Sequence, residues 1–401
     1  MSAQKITLYL HVHQPHRISS YSAFDMGQRH DYFKTDDQIS NERTFRKVAE
    51  KSYLPTNDLL IELLRSNPGF SLNLSITGTF LEQCQWWGPD VLRSFQELVA
   101  TGRVEIVAET YHHSLAFFYS RFEFEKQVMM HREKIQELFG VTPKVFRNTE
   151  LAYNDALGQW AQSAGYKAVL AEGWNPILGY RSPNYVYSVA GTDDLRLLLK
   201  NYQLSDDIAF RFSDRNWSEW PLTADKYLSW LSHSADDEII NLFMDYETFG
   251  EHQWSDTGIF DFMAAWIPMW LQDPSHQFML LSDVATIPSR DVISMPDTVT
   301  WADNERDLSA WMGNSMQQEA FNNLYSLEDD ILRSGDNELI NDWRNLQTSD
   351  HFYYMCTKWW SDGDVHAYFS PYSSPYDAFI YYMNVIRDLR LRIMQKHRDE
   401  Y

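Results

Sequence analysis

The sequence predicts an α/β fold in which a barrel of parallel strands is followed by a module of helices. Three observations support this prediction. Apolar strand-like runs alternate with helical stretches over residues 1–295, these runs are apolar on both faces, and convincing strands are absent after that point. Strands buried on both faces are typical of a parallel sheet covered by helices. About eight such runs favour a closed or nearly closed barrel over an open sheet.

The predicted strands and helices alternate along the first part of the chain. The strands cover residues 6–13, 70–77, 104–110, 144–149, 166–171, 195–200, 238–245 and 278–281. The helices cover residues 41–51, 57–65, 123–138, 154–164, 224–232 and 259–271. Gly140 and Gly165 stand where glycine commonly ends a helix.

Residues 296–401 show a different pattern. Helical periodicity covers residues 308–334, 337–346 and 377–396, with no convincing strand between them. No repeat, low-complexity tract or flexible linker separates this part from the preceding one. We therefore expect a catalytic barrel over residues 1–295 and a helical module over residues 296–401 that packs on the barrel and completes the active-site cleft.

The charge of the chain argues against one large class of partners. Its 56 acidic side chains outnumber its 34 lysines and arginines, which gives a formal net charge of −22. Such a field repels nucleic acid and anionic lipid, so we expect neither as a partner. Aromatic residues make up 15% of the chain, more than a minimal core requires. This content favours flat, ring-shaped ligands.

The cysteines and the N-terminal segment predict a cytoplasmic protein. Cys84 and Cys356 lie far apart in the sequence and show no metal-binding spacing, so we expect neither a disulfide framework nor a structural metal. The first apolar stretch is short and is interrupted by His11 and His13, unlike a signal peptide. No run reaches the ~18 apolar residues that a membrane span needs.

Polar side chains follow several predicted strands at their carboxyl ends, where the active site of a parallel barrel lies. His11 and His13 end the first strand, residues 109–113 end another with a glutamate and two histidines, and Glu150 and Asp245 end two more. Cleavage of a glycosidic bond requires two carboxylates that face one cleft, about 5–5.5 Å apart in enzymes that retain anomeric configuration. Glu150 and Asp245 are the predicted pair.

Other interpretations of these side chains stay open. A carboxylate at a strand end commonly caps a helix or joins a salt bridge. Glu82 and Glu247 either hydrogen-bond a sugar or orient a neighbouring side chain. His11 and His13 are also the first ligand pair expected of a metal-dependent hydrolase, although the later strands end in carboxylates rather than in further imidazoles. Both histidines could equally be hydrogen-bonded structural residues.

Many tryptophans fall in predicted loops or near the junction of the two parts, where a core makes little use of them. An indole ring is a good platform for the apolar face of a sugar, and core packing is the alternative for each ring. The candidates are Trp86, Trp87, Trp174, Trp254, Trp301, Trp311, Trp359 and Trp360.

Four segments taken together resemble the motifs of glycoside hydrolase family 57, which contains α-amylases and 4-α-glucanotransferases. They are residues 13–15, 80–83, 146–150 and 244–250, and they occur in the order found in the family. Residues 301–314 are similar to a fifth motif, in which Asp307 and Trp311 would correspond to the acidic residue and the tryptophan of the family.

This resemblance implies a (β/α)7 barrel followed by helices, so that eight strand candidates are one too many. It implies a retaining hydrolase of α-1,4-glucans that needs no cofactor and no metal, with Glu150 as nucleophile and Asp245 as acid/base. We expect the negative charges of Glu82 and Glu247 to favour the protonated form of Asp245. The implied substrate-binding residues are His11, His13, Glu82, Glu247, Trp301, Asp307 and Trp311.

Three alternatives to a retaining α-glucan hydrolase stay open. A 4-α-glucanotransferase or branching-type transglycosylase would use the same site and pass the sugar to a second glucan. A metal-dependent hydrolase would use His11 and His13 as ligands. A glucan-binding protein without activity would keep the aromatic platforms but would have no need of Glu150 and Asp245. The sequence does not indicate an oligomeric state.

Overall fold

Ten strands form the sheets of the computed structural model, which describes residues 4–34, 39–232, 237–358 and 370–399. They are β1 (Gln4–Val12), β2 (Leu72–Ile76), β3 (Val104–Ile106), β4 (Val145–Phe146), β5 (Ala168–Glu172), β6 (Tyr187–Val189), β7 (Arg196–Lys200), β8 (Ile240–Asp245), β9 (His276–Phe278) and β10 (Asp291–Ile293). Parallel ladders join β3, β2, β1 and β8 in that order, and a second set joins β4, β5 and β7.

Two local connections turn these ladders into a barrel. Ala108, just after β3, pairs in parallel with Phe146 of β4. The backbone N–H of Asn201, just after β7, donates to the carbonyl of Asn241 in β8 at 2.9 Å. Seven parallel strands therefore follow the cyclic order β1, β2, β3, β4, β5, β7, β8. The barrel is incomplete because isolated contacts replace regular ladders at both junctions, and the predicted fold class is confirmed.

The other three strands lie outside this ring. The eighth predicted strand corresponds to β9, which pairs with residues 4–6 at the amino end of β1 and does not extend the barrel. The resemblance therefore implied the correct number of barrel strands. The strands β6 and β10 were not predicted; β6 runs antiparallel to β7 and parallel to β10.

Helices cover the barrel and build the C-terminal region. In the first part they are α1 (Asn41–Val48), α2 (Leu54–Ser66), α3 (Gly78–Trp87), α4 (Pro89–Ala100), α5 (Arg121–Phe139), α6 (Asp155–Ser163), α7 (Asn175–Leu178), α8 (Tyr202–Ala209), α9 (Ala224–Ser232), α10 (Ile259–Trp270) and α11 (Leu281–Val284). Later in the chain they are α12 (Ser309–Met312), α13 (Ser315–Tyr325), α14 (Glu328–Ser334), α15 (Asn337–Asn345), α16 (Ser349–Tyr353) and α17 (Pro375–Asp399).

Local sequence signals explain several helix ends. The side chain of Asn154 accepts a hydrogen bond from the backbone N–H of Leu157 and thereby starts α6. Gly140 ends α5 with a φ of 71°, and Gly165 follows α6 with a φ of 85°, so both glycine predictions are confirmed. A π-helical segment, Ala49–Tyr53, joins α1 to α2 and makes one continuous helix of two predicted ones. The helices α3 and α4 were not predicted.

The alternation of side chains along β1 places its polar end in the mouth of the barrel. Leu8 and Leu10 pack in the hydrophobic cluster between the barrel and its helices, whereas Tyr9 packs with Phe243 in the barrel interior. Because successive side chains of a strand point to opposite faces, His11 points the same way as Tyr9. The predicted orientation of this histidine follows directly from the strand period.

The C-terminal helices pack on α5 through buried polar contacts. Glu123 of α5 is fully buried and accepts a hydrogen bond from Nε of Arg344 in α15 at 2.8 Å. Gln127, one turn later, donates to the side-chain oxygen of Gln347 at 2.8 Å. The two parts of the chain therefore share an interface, while the domain boundary near residue 296 stays a prediction.

Two observations bear on the predicted location of the protein. Among the described residues, no helix combines the length and the apolar composition that crossing a bilayer requires. Cys84 and Cys356 are both buried, and neither forms a disulfide with another described residue. A cytoplasmic location stays a prediction.

Candidate active site

A cavity of about 980 Å³ opens at the carboxyl ends of the barrel strands. It is lined by both predicted catalytic carboxylates and by most of the predicted substrate-binding residues. The predicted site residues in its lining are His11, His13, Glu150, Asp245, Glu247, Trp301 and Trp311. The structure thus brings together side chains as far apart in the sequence as His11 and Trp311, which are separated by 300 positions.

Two predicted substrate-binding residues are not among the lining residues. Glu82, in α3, accepts a hydrogen bond from the hydroxyl of Tyr111 at 2.9 Å and lies 3.4 Å from Nε2 of His16. Asp307 accepts a hydrogen bond from the backbone N–H of Ser309 at 2.8 Å at the start of α12. Both carboxylates thus have hydrogen-bond partners within the protein, and their contact with a sugar stays a prediction.

Three donors converge on the carboxylate of Glu150. Nε2 of His113 lies 3.2 Å from Oε1, the hydroxyl of Ser349 donates to Oε1 at 2.8 Å, and the indole N–H of Trp301 donates to Oε2 at 2.9 Å. Burial opposes ionisation, but the hydrogen bond and charge of His113 outweigh it and lower the pKa of Glu150 to about 2. A carboxylate that is ionised and held by donors can act as a nucleophile.

The cation beside Glu150 is His113. Its Nδ1 lies 3.4 Å from Oε2 of the fully buried Glu109, and its Nε2 faces Glu150. Burial alone would lower the pKa of His113, but hydrogen bonds to these two carboxylates prevail and raise it to about 9. His113 is therefore protonated at neutral pH. The sequence placed it at a strand end but gave it no function.

Asp245 occupies an environment that shifts its pKa in the opposite direction. It ends β8, paired in register with His11. Burial raises the pKa of Asp245 to about 6, and the negative charge of Glu150 contributes to the shift. The sequence analysis expected Glu82 and Glu247 to cause this shift; the structure attributes it to burial and to Glu150 instead.

The carboxyl of Glu247 is held close to the backbone of the first strand. The hydroxyl of Tyr53 donates to Oε1 at 2.5 Å, and the backbone N–H of His13 donates to the same atom at 3.4 Å. Burial, reinforced by the charge of Asp245, raises the pKa of Glu247 to about 8. Glu247, which lines the cavity, is therefore mainly neutral at pH 7.

His11 stacks against the ring of His113 with the ring centroids 4.8 Å apart, and the ring of His13 lies tilted against His113 at a centroid distance of 4.2 Å. Nδ1 of His11 lies 2.8 Å from the hydroxyl of Ser75, while its Nε2 has no hydrogen-bond partner among the described residues. Nε2 of His13 lies 3.0 Å from Oδ2 of Asp350. Burial lowers the pKa of both histidines, that of His11 to about 3, so both are neutral.

Two groups of these side chains have the composition of a metal site. They are His11, Glu109 and His113, and His13, His113 and Asp350, each with ligand atoms within 4.8 Å of one another. Both groups need His113 as a ligand, and a protonated imidazole has no lone pair to offer. Nη1 of Arg147 also lies 3.8 Å from Oε2 of Glu109. A metal ion bound to either group would therefore have to displace the proton of His113.

Three of the predicted aromatic platforms line the cavity, namely Trp254, Trp301 and Trp311. Trp254 is 55% exposed and is joined by Phe210, which is 63% exposed and was not predicted. The other described candidates, Trp86, Trp87 and Trp174, are not among the lining residues. Trp359 and Trp360 lie outside the described residues.

Sequence comparison identifies relatives over most of the chain. The model of Glycosyl hydrolase family 57 matches residues 7–296. A protein of Methanocaldococcus jannaschii with the name "Putative alpha-amylase" is 43% identical over 405 residues, an alignment that covers 97% of this chain and 85% of that protein.

Two solved structures share the fold at low sequence identity. A GH57 branching enzyme from Thermococcus kodakaraensis has a TM-score of 0.71 and 13% identity, with 99% of this chain and 90% of that chain covered. A 4-alpha-glucanotransferase from Thermococcus litoralis has a TM-score of 0.63 and 16% identity. The match covers 88% of this chain but only 56% of that longer chain. At these identities the two similarities establish the fold alone.

Proposed function

The chain belongs to glycosyl hydrolase family 57, and from this premise we propose that it is an α-amylase-type enzyme that cleaves α-1,4-linked glucans with retention of anomeric configuration. One observation carries the proposal: a single cavity holds one carboxylate with a lowered pKa, Glu150, and one with a raised pKa, Asp245. Two carboxyl groups whose environments separate their pKa values are what double displacement requires.

In the first step, an oxygen of Glu150 attacks the anomeric carbon as the bond from that carbon to the leaving sugar oxygen breaks. Asp245 gives its proton to that oxygen, so the leaving glucan departs as a neutral alcohol. The product is a glycosyl ester on Glu150, with the anomeric configuration inverted once.

In the second step, Asp245 accepts a proton from a water molecule as the water oxygen attacks the same carbon. The ester bond to Glu150 breaks, the anomeric configuration is inverted again, and Asp245 is left protonated for the next cycle. No other reactant is needed to balance the reaction.

The neighbouring side chains have distinct functions in this proposal. His113, Ser349 and Trp301 keep Glu150 ionised and oriented. His11 lines the cavity and stacks against the ring of His113. Because Ser349 belongs to α16, we further propose that the C-terminal helices are part of the catalytic unit and complete the cleft.

The direct test is the Glu150→Ala variant on maltoheptaose. We expect turnover to be abolished, and we expect added azide to restore cleavage by occupying the space of the missing carboxylate. A single displacement by azide yields a β-glycosyl azide from an α-linked glucan. Glu137→Ala is a matched control, because that side chain is 59% exposed on α5. Undiminished turnover in Glu150→Ala would exclude the proposed nucleophile.

Transglycosylation is a second candidate, because a glucan hydroxyl can replace water in the second step. The exposed rings of Trp254 and Phe210 line the cavity and offer stacking surfaces for an acceptor sugar. Analysis of products from maltoheptaose separates the two activities. Chains longer than the substrate indicate transfer, as in a 4-α-glucanotransferase or branching enzyme, and shorter chains alone indicate hydrolysis.

A further inference from the structure

The loop that carries Trp301 is closed by short-range hydrogen bonds. The backbone N–H of Thr300 donates to the carbonyl of Arg306 at 2.8 Å, and the hydroxyl of Thr300 donates to the carbonyl of Asp307 at 2.8 Å. Asp303 and Arg306 have φ values of 56° and 54°, although neither is glycine. Such conformations persist only where the surroundings hold them.

The guanidinium of Arg306 anchors this loop in the barrel. Its Nη1 lies 3.1 Å from Oε2 of Glu172 at the end of β5, and its Nη2 lies 3.7 Å from Oδ2 of Asp206 in α8. Glu172 is fully buried. Nη1 of Arg306 also donates to the carbonyl of Trp301. One side chain thus joins the backbone of Trp301 to two acidic residues of the barrel.

The indole of Trp301 is held on several sides. The indole N–H of Trp301 donates to Oε2 of Glu150, and the backbone N–H of Trp301 donates to the backbone carbonyl of Glu150 at 3.3 Å. The guanidinium carbon of Arg147 lies 4.9 Å from the ring centroid, and Nζ of Lys200 lies 5.6 Å from it. Lys200 binds the same acids as Arg306, at 2.9 Å from Asp206 and 3.8 Å from Glu172.

From these contacts we propose that Arg306 is a positioning residue for the nucleophile. It fixes Trp301, and through the indole N–H it fixes the orientation of the Glu150 carboxylate. The proposal rests on the proposed function of Glu150. Because a misplacement of about 1 Å at a reacting group can lower a rate about 100-fold, the ion pairs of Arg306 affect the reaction without contact to the reacting atoms.

Arg306 also lines the cavity, so direct contact with substrate is the competing explanation. The Arg306→Gln variant distinguishes the two by steady-state kinetics. Positioning through Trp301 predicts that kcat falls about 10- to 100-fold with little change in KM. A raised KM with unchanged kcat would assign Arg306 to the substrate and overturn the proposal. Arg290→Gln is the matched control, since its ion pair with Glu238 lies at the surface with Arg290 58% exposed.

A double-mutant cycle with Trp301→Phe tests whether the effect passes through the indole. Residues that act as one unit give non-additive changes, so the double variant is expected to be no slower than the slower single variant. Multiplication of the two single effects would overturn the proposal. Arg306→Lys keeps the charge but not the forked donor geometry, so partial recovery of kcat is expected. If Arg306→Gln does not fold, the cycle is measured with Arg306→Lys.

A spectroscopic measurement tests the same contact without substrate. The indole N–H proton of Trp301 is identified as the NMR resonance that disappears in Trp301→Phe. We expect Arg306→Gln to move this resonance upfield because the bond to Glu150 weakens, and an unchanged resonance would overturn the proposal. Inactivity of the wild-type enzyme on every α-glucan would refute the proposed function instead, and the two failures are therefore distinguishable.

Discussion

Replacing His113 by glutamine removes the positive charge beside Glu150 and leaves a side chain that can still donate a hydrogen bond. The pKa of Glu150 stands at about 2, against an ordinary value of 4.5. At about 1.4 kcal/mol per pH unit, this interval corresponds to at most about 3.5 kcal/mol of preference for the ionised form. Arg147 supplies part of it, so we expect the pKa of Glu150 in the variant to rise partway toward the ordinary value.

The same charge acts on Asp245 in the same direction. His113 lowers the pKa of Asp245, so its removal raises that pKa above its present value of about 6. In the proposed mechanism Glu150 must be ionised and Asp245 protonated in the free enzyme. The acid limb of kcat/KM follows Glu150 and the alkaline limb follows Asp245. Both limbs are therefore expected to move to higher pH.

The measurement is kcat/KM on maltoheptaose as a function of pH. The maximum should fall about 5- to 10-fold, because a neutral donor in place of a charged one weakens the hydrogen bond to Glu150 by about 1–1.4 kcal/mol, and about 1.4 kcal/mol corresponds to a tenfold change in rate. His276→Gln is a suitable control, since His276 lies in β9 beside the amino end of β1. Unmoved limbs, or a move to lower pH, would refute the assignment of His113 as the cation that keeps Glu150 ionised.

Three further predictions follow from other buried charges. The pKa of Glu247 is raised to about 8, so Glu247→Gln imitates its neutral form. We expect the kcat/KM of this variant to be nearly that of the wild type below pH 8 and to diverge from it above pH 8. A tenfold loss of kcat/KM at pH 6 would contradict this. Glu123→Gln leaves Arg344 without its charge partner, so urea denaturation should show a loss of about 3 kcal/mol in unfolding free energy. An unchanged unfolding free energy would exclude a contribution of this ion pair to stability. The pKa of His113 is raised from 6.5 to about 9. Its charge therefore stabilises the fold fully below pH 6.5 and progressively less as the pH rises through 9. The difference in unfolding free energy between the wild type and His113→Gln should shrink over that range.

Sequence patterns predicted the barrel well because its strands are apolar on both faces and separated by amphipathic helices. The run at residues 278–281 has the same local character, and only its pairing with the amino end of β1 excludes it from the ring. The strands β6 and β10 have three residues each, too few to show a period. Helix α4 did carry a signal that was not used, with Pro89 in its first turn and a strongly one-sided apolar face.

The meeting of Glu150 and Asp245, the proposed catalytic pair, in one cavity was predictable because parallel strands bring their carboxyl ends to one rim. The side chains that contact this pair could not be predicted from the sequence. Ser349 reaches Glu150 from a helix 199 positions away, and nothing in its local sequence distinguishes it from another polar residue of a helical region. Arg306 belongs to a motif that the resemblance singled out, yet its function depends on Glu172, an acid at the end of another strand. Long-range contacts of this kind become visible only in the folded chain.

The electrostatics of the cavity also account for the change in the function of Asp245 between the two steps. Before reaction, the charge of Glu150 contributes to the raised pKa of Asp245, which favours the protonated acid. Once Glu150 is esterified by the sugar, that charge is gone, while the charges of Arg147 and Lys200 that lower the pKa of Asp245 remain. In the proposed mechanism the pKa of Asp245 therefore falls in the intermediate, when a base is required. The first step thus prepares Asp245 for the second with no movement of the chain, because the nucleophile itself is the charge that tunes the acid/base.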